Sequence, residues 1–277
     1  MGDEASVMRW IIGDIHGMYR MLVALLDAIH ARDKDAKIYF VGDYVNRGPE
    51  SKQVVDLLLT LKDAKFVRGN HDEIFDLVIN GECFEPHPEL HAPLHAFLTF
   101  LQFGLEMTLT SYGIDLAMIE RVAHRPSEAA MAKLLEPIPA DHRQFFRSLP
   151  AVIDEPDLMV AHAKWDPDHP NDEQSVAKLL SDAHRRHLIV WGRYLENEVR
   201  RNKPWTRLAC FGHTPVATYT GNRNRDPHTP MSGAKIVLLD TGAALSMHGR
   251  LTAFCPEDRS YLQINRGLEL LTGVLTK

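Results

Sequence analysis

Short, mostly uninterrupted apolar runs punctuate this chain, and most of them are followed at once by polar residues of metal-binding types. The runs are Val7–Ile12, Lys37–Val41, Lys65–Val67, Leu158–Ala161, Leu208–Phe211 and Lys235–Leu239. Apolar stretches this short and continuous predict strands buried on both faces. Leu22, Val23, Leu25, Leu26 and Ile29 recur at helical spacing after Gly17, and Val54, Val55, Leu58 and Leu61 do so after Pro49 and Ser51. Strand and helix patterns thus alternate over the first 80 residues, which predicts an α/β core with right-handed crossovers.

Asp14 and His16, Asp43, Asn70 and His71, His162, and His213 follow five of the six runs. The carboxyl ends of strands in such a fold share one edge, where ligands gather. Taken singly, each Asp or Asn would be an ordinary turn residue. Their recurrence after successive strands instead delivers two Asp, three or four His and one Asn to one crevice. Carboxylates and imidazoles with one neutral amide oxygen suit borderline divalent ions such as manganese, iron, zinc or cobalt. A pair of such ions needs a bridging carboxylate; it lowers the pKa of a shared water and clamps attacking and leaving oxygens. Gly13, Gly17, Gly42, Gly69 and Gly212 flank the candidate ligands, where the backbone must turn sharply.

No repeat or linker-like tract interrupts the 277 residues, of which 45% are hydrophobic, so a single domain spanning 1–277 is expected. Residues from about 73 to 150 lack strong strand signals and read as a mainly helical cap, with apolar patterns around Leu94–Leu101 and Met131–Leu135. The net charge of -6 and the absence of a dense basic run disfavour nucleic acid as a partner. No apolar run approaches the roughly 18 residues of a membrane span. Cys83, Cys210 and Cys255 are far apart, which argues against a disulfide framework or cysteine zinc site and for reduced thiols in a cytoplasmic setting.

Five motifs stand in order: Gly13-Asp14-Ile15-His16-Gly17, Gly42-Asp43-Tyr44-Val45-Asn46-Arg47-Gly48, Gly69-Asn70-His71-Asp72, His162-Ala163 and Gly212-His213-Thr214. In these the chain resembles the calcineurin-like metallophosphoesterases. The similarity is to their bacterial phosphoprotein (serine/threonine) phosphatase branch, with bis(5'-nucleosyl)-tetraphosphatases nearby. Ser111-Tyr112-Gly113, Trp191-Gly192-Arg193 and Leu239-Asp240-Thr241-Gly242-Ala243 also resemble the bacterial branch. The likeness covers about residues 7–72 and 158–254 and is weak between them. It implies two mixed β-sheets packed as a sandwich and flanked by helices, and two divalent ions, manganese first, with iron, zinc, cobalt or nickel as alternatives. By the same resemblance Asp14 and His16 hold one ion, Asp43 bridges both, and Asn70, His162 and His213 hold the second. Arg47 and Arg193, with Asn70, would grip phosphate, a task that suits the bidentate guanidinium. His71 would be the general acid, and a hydroxide bridging the metals the nucleophile.

One departure bears on substrate. Asn46 stands where most phosphoprotein phosphatases carry an Asp that hydrogen-bonds the general-acid histidine, so charge support for a protonated His71 is missing. A serine or threonine alkoxide needs that proton, whereas a phenolate or phosphate leaves with less help. The motifs as a whole favour a phosphomonoester of serine/threonine-phosphatase type. Asn46 and Asp72 favour the alternatives, a dinucleoside tetraphosphate or phosphotyrosine. Among the remaining residues, His87, His91 and His95 are spaced like ligands, but Pro86, Pro88 and Pro93 break the helix that would align them. His184 and His187 read as solvent-facing, Trp191 as core rather than cleft wall, and Asp240 as a turn-orienting residue. Lys164 would point either to phosphate or to solvent.

Overall fold

The computed structural model describes residues 7–276 apart from 86, 91, 166–175, 177–179, 204 and 224–225, so His91 lies outside the described residues. The first third of the chain alternates as expected: β1 (Arg9–Ile12), α1 (Tyr19–Arg32), β2 (Lys37–Phe40), α2 (Ser51–Leu58) and β3 (Lys65–Phe66). A helical stretch follows, comprising α3 (Asn70–Asn80), α4 (Pro93–Leu101), α5 (Leu105–Ser111), α6 (Leu116–His124), α7 (Glu128–Leu134) and α8 (Ala140–Ser148). Then come β4 (Val152–Asp154), β5 (Leu158–Ala161), α9 (Ala183–Trp191), α10 (Glu196–Arg200), β6 (Leu208–Phe211) and α11 (Thr220–Arg223). The chain closes with β7 (Met231–Ser232), β8 (Ile236–Leu238), β9 (Arg250–Phe254), β10 (Ser260–Asn265) and β11 (Leu270–Val274).

Two mixed sheets result, ordered β11-β10-β9-β1-β2-β3 and β4-β5-β6-β8-β7. Side-chain alternation explains why they face each other. In β1 and β2, Trp10, Ile12, Ile38 and Phe40 pack toward the helices, while Ile11 and Tyr39 point the other way. In β5, β6 and β8, Met159, Ala161, Ala209, Phe211, Ile236 and Leu238 line the second sheet's outer core. Their neighbours Leu158, Val160, Cys210 and Val237 join Ile11 and Tyr39 in the layer between the sheets. A strand with both faces buried must be apolar along its buried length, and the runs display this apart from Arg9 and the lysines that open three of them.

α3 to α8 do not form a separate lobe. Phe75, Phe97, Phe146 and Leu109 share one continuous core with Leu22, Leu25 and Val54 of α1 and α2. Local signals set several helix boundaries: Pro93 opens α4, and the side chains of Asp115 and Ser127 accept backbone N–H groups of α6 and α7. The three cysteines are free, two of them buried, and no described helix is long and apolar enough to cross a membrane.

Candidate metal centre

Every expected metal ligand lies at the carboxyl edge of the two sheets. Asp14 and His16 sit in the loop after β1, Asp43 after β2 and Asn70 at the start of α3; His162 follows β5 and His213 follows β6. The first four thus come from one sheet and the last two from the other. All six are buried. Hydrogen bonds stitch the halves together: the His213 N–H donates to the Asp14 carboxylate at 3.0 and 3.3 Å, and His162 Nδ1 donates to the Val41 carbonyl at 2.8 Å.

The second of these contacts fixes a tautomer. A carbonyl only accepts, so His162 carries its proton on Nδ1 and presents a lone pair at Nε2; His16, with Nδ1 2.9 Å from the Val45 carbonyl, does the same. Those lone pairs converge on oxygens. His16 Nε2 is 3.3 Å from Asp43 Oδ2, and His162 Nε2 is 3.4 Å from Asp43 Oδ1 and 3.0 Å from Asn70 Oδ1. The Asn70 oxygen is also 2.9 Å from His213 Nδ1. Acceptors packed this closely are favourable around a cation, and the two Asp43 oxygens face different histidines, as a bridging carboxylate requires. The potential ligand sets His16–Asp43–His71 and Asp14–Asp43–His162 each bring their donor atoms within 4.8 Å of one another, sharing Asp43.

Electrostatics agree with a cationic occupant. Burial, then the charges of Asp240 and Asp43, hold Asp14 well above the usual carboxylate range. Burial pushes Asp43 up to about 7 against the opposing pull of Arg47 and the His71 N–H. Asp240 is raised by burial as well, and its buried Oδ2 has no hydrogen-bond partner among the described residues. The imidazoles move the other way: burial lowers His162 to about 4 and holds His16 and His213 well below the usual imidazole range. Low-dielectric surroundings thus penalise clustered carboxylates and protonated imidazoles alike, and divalent cations would relieve the carboxylates while using the neutral histidines.

The backbone is bent to make this arrangement. Five of the seven non-glycine residues with left-handed backbone among the described residues belong here: His16, Asp43, Asn46, Arg47 and His213, with φ from 47 to 70°. Such conformations persist where surrounding structure enforces them, often at functional sites. Gly17 and Gly42 do supply left-handed turns, at φ of 65 and 98°. Gly69 and Gly212 serve differently, since a Cβ there would collide with the carboxylates of Asp43 and Asp14 respectively.

His71 lies beside this cluster. Its Nδ1 is 2.9 Å from Asn46 Nδ2 and its Nε2 is 3.1 Å from the Arg47 guanidinium, which also contacts His16 Nε2. Thr108 Oγ1 donates to Asn46 Oδ1 at 3.0 Å and accepts the Asn46 backbone N–H at 2.7 Å, turning the amide nitrogen toward the imidazole. Burial, followed by His16 and Arg47, depresses the His71 pKa. Arg193, just beyond α9, is exposed and lines the cleft that opens over Arg47, Asn70, His71 and His213.

Several expectations need correction. Trp191 and His187, read as core and as solvent-facing, are half-buried and line that cleft together with His87. Lys164 goes to neither phosphate nor open solvent: it pairs with Glu198 at 2.9 Å and lies over the Tyr194 ring. His87 and His95 join no metal-ligand group among the described residues. Asp240 does orient a turn, accepting the Gly242 N–H at 2.9 Å. Sequence reasoning missed Thr108, which acts from α5, and read Asp72 only as a mark of substrate, not as the buried anchor whose carboxylate accepts the N–H groups of Asp43, Tyr44 and Gly69 at 2.7 to 2.9 Å. A clue was present in the acidic residue three places after Gly69, where a helix N-terminus welcomes one.

A family model described as calcineurin-like phosphoesterase matches residues 9–217, which include every residue of the centre up to His213. The chain belongs to that family. Calcineurin-like phosphoesterases use a dinuclear divalent metal centre. It is 42% identical over 89 residues to a symmetrical bis(5'-nucleosyl)-tetraphosphatase of Coxiella burnetii, covering 32% of this chain and 30% of that protein. Over 169 residues it is 33% identical to the asymmetrical bis(5'-nucleosyl)-tetraphosphatase PrpE of Geobacillus thermodenitrificans, covering 55% of this chain and 56% of the relative. The matched stretches thus span about a third to a half of these relatives. A cold-active protein-tyrosine phosphatase of a psychrophilic Shewanella species has the same fold, with a TM-score of 0.50, 15% identity, and coverage of 96% of this phosphoesterase and 80% of that chain.

Proposed function

We propose that this phosphoesterase hydrolyses a phosphoanhydride of a dinucleoside polyphosphate. Asp14, His16 and Asp43 would hold one divalent ion, and Asp43, Asn70, His162 and His213 the other. Manganese is compatible with this thiol-free set of three oxygen and three imidazole donors, as are iron, zinc and cobalt. Bound, the ion pair supplies a water ionised near neutral pH and charge neutralisation on the phosphoryl group. The protein's own groups do the rest. Arg47 and Arg193 orient the phosphate through paired N–H donors, and the Asn70 amide lies against the same oxygens. His71 Nε2 faces the cleft beside Arg47 and donates a hydrogen bond to the departing oxygen. Asn46 and Thr108 hold the imidazole plane in place.

The contact between His71 and Asn46 carries the choice of substrate. Among the described residues no carboxylate hydrogen-bonds the His71 ring, although an Asp43 oxygen lies within 4.8 Å of it; an imidazolium there would face an amide nitrogen at 2.9 Å and a guanidinium at 3.1 Å. The residue is therefore built to give a hydrogen bond rather than a whole proton. That is adequate for a nucleotide phosphate, which leaves as a stable anion, and poor for a serine alkoxide. The nucleotide hydrolases among its relatives support the same reading.

The test is turnover by the manganese-loaded protein of diadenosine tetraphosphate beside phosphoserine, phosphothreonine and phosphotyrosine peptides, with Asp43→Asn as control. Faster release from the dinucleotide, lost in the control, supports the proposal. Preference for a phosphoserine or phosphothreonine peptide would overturn it.

A further inference from the structure

The cleft above the metal centre has a volume of about 480 Å³, within the range of small-molecule sites. One part of its lining is polar and cationic, with Arg47, Arg193 and His71. Another part is aromatic, and it comes from three separate places in the chain. At the end of α4, Phe100 packs edge-on to His71 at 5.3 Å and tilted against Phe103 at 5.2 Å. Phe103 is 45% exposed although large and apolar. At the end of α9, His187 lies nearly parallel to Trp191, 17° between planes at 6.5 Å, while His87 meets the indole edge-on at 4.7 Å.

This second group is held in position. Glu85 accepts from Arg186 at 2.8 Å, which ties the loop bearing His87 to the helix bearing His187 and Trp191. Backbone N–H groups of Ala163 and Lys164 donate to the carbonyls of Ile189 and Leu188, fixing α9 to the loop that carries His162. Aromatic faces set at a fixed remove from phosphate-binding arginines match a ligand that is anionic at one end and planar at the other.

From this geometry we propose that Trp191, His187, His87 and Phe103 form a nucleobase-binding platform, which stacks the base of the nucleotide whose phosphate lies at Arg47 and Arg193. The assignment rests on the nucleotide reading of the centre given above and specifies how the nucleoside is held. Stacking accepts any base, because each has a π-face. Thr99 and Gln102 line the same wall and offer polar groups to a base edge. A peptide bearing phosphoserine would leave the aromatic wall without a partner, whereas a nucleoside covers it.

The experiment is isothermal titration calorimetry on the manganese-loaded enzyme with the non-hydrolysable phosphonate analogues of AMP and of ribose 5-phosphate, which differ only in the base. Phenylphosphonate serves as a third ligand. The AMP analogue is expected to bind at least about fivefold more tightly than the ribose analogue, from the stacking of its base. Trp191→Ala should abolish that ratio and Trp191→Phe should keep most of it. Phe103→Ser, at an exposed position, should lower the ratio and provides the test if Trp191→Ala does not fold. Equal binding of the two analogues to the wild type, or a ratio that survives both substitutions, overturns the platform. Phenylphosphonate binding as tightly as the AMP analogue, with the same dependence on Trp191, overturns it in favour of a tyrosyl phosphate. Failure of the parent reading looks different: phosphoserine or phosphothreonine peptides would be turned over faster than diadenosine tetraphosphate, or no phosphoester would be hydrolysed in an Asp43-dependent way.

Discussion

Asn46 is the residue at which the chemistry of this phosphoesterase can be tuned without touching a metal ligand. An aspartate there would accept from His71 Nδ1 and stabilise the protonated ring, and aspartate tolerates the left-handed backbone at φ 70°. Asn46→Asp should therefore raise kcat on a phosphoserine peptide by about tenfold, with little gain on diadenosine tetraphosphate. Paired steady-state assays would show it, and equal gains on both substrates would refute the leaving-group argument. Gly212 makes the complementary case, where one added methyl group has no room beside the Asp14 carboxylate. Gly212→Ala should displace that carboxylate and cost roughly 10–100-fold in metal affinity, read as metal content after dialysis. Full metal retention would mean the loop yields without moving Asp14.

Among the elements, α3 joins chemistry to packing, since it begins with Asn70 and His71 and continues into the core. Arg68 fixes its approach: the buried guanidinium pairs with Glu73 and donates to the Leu149 and Phe146 carbonyls. Glu73→Ala would leave that guanidinium with Asp76, 3.6 Å away, as its counter-charge, and a loss of about 1–3 kcal/mol in urea denaturation is expected. A loss below about 1 kcal/mol would show that water reaches Arg68. The element scale also shows what a sequence can reveal. Strands with two buried faces announce themselves as largely apolar runs, so those strands were legible, and with them the candidate ligands that follow. The β9–β11 meander was not. Thr252 and Gln263 are buried in it as a hydrogen-bonded pair at 2.8 Å, which breaks the apolar pattern, and Leu270, Leu271 and Val274 of edge strand β11 are exposed. The cleft wall escaped for a related reason. His87, His187 and Trp191 meet only in the fold, and nothing in their local sequence separates a cleft aromatic from a core one.

At the scale of the whole molecule, the buried carboxylates of Asp14, Asp43 and Asp240 tie stability to the cations. Ions that bind the folded chain alone stabilise it by mass action. Manganese at a hundredfold excess over its Kd should raise Tm by roughly 5 °C or more over chelator-treated protein, measured by calorimetry. An unchanged Tm would mean that the carboxylates are held at no cost without metal. The topology has a further consequence, in time rather than energy. β1 delivers Asp14 and His16, and it lies between β2, made within 30 residues of it, and β9, whose Phe254 and Ala253 pair with Ile11 and Ile12. A ribosome that has not passed residue 250 holds a chain whose ligand-bearing strand still has one open edge, the kind of edge that pairs with strangers. Chaperone protection should matter most in that window, and the centre should gain activity only near the end of synthesis.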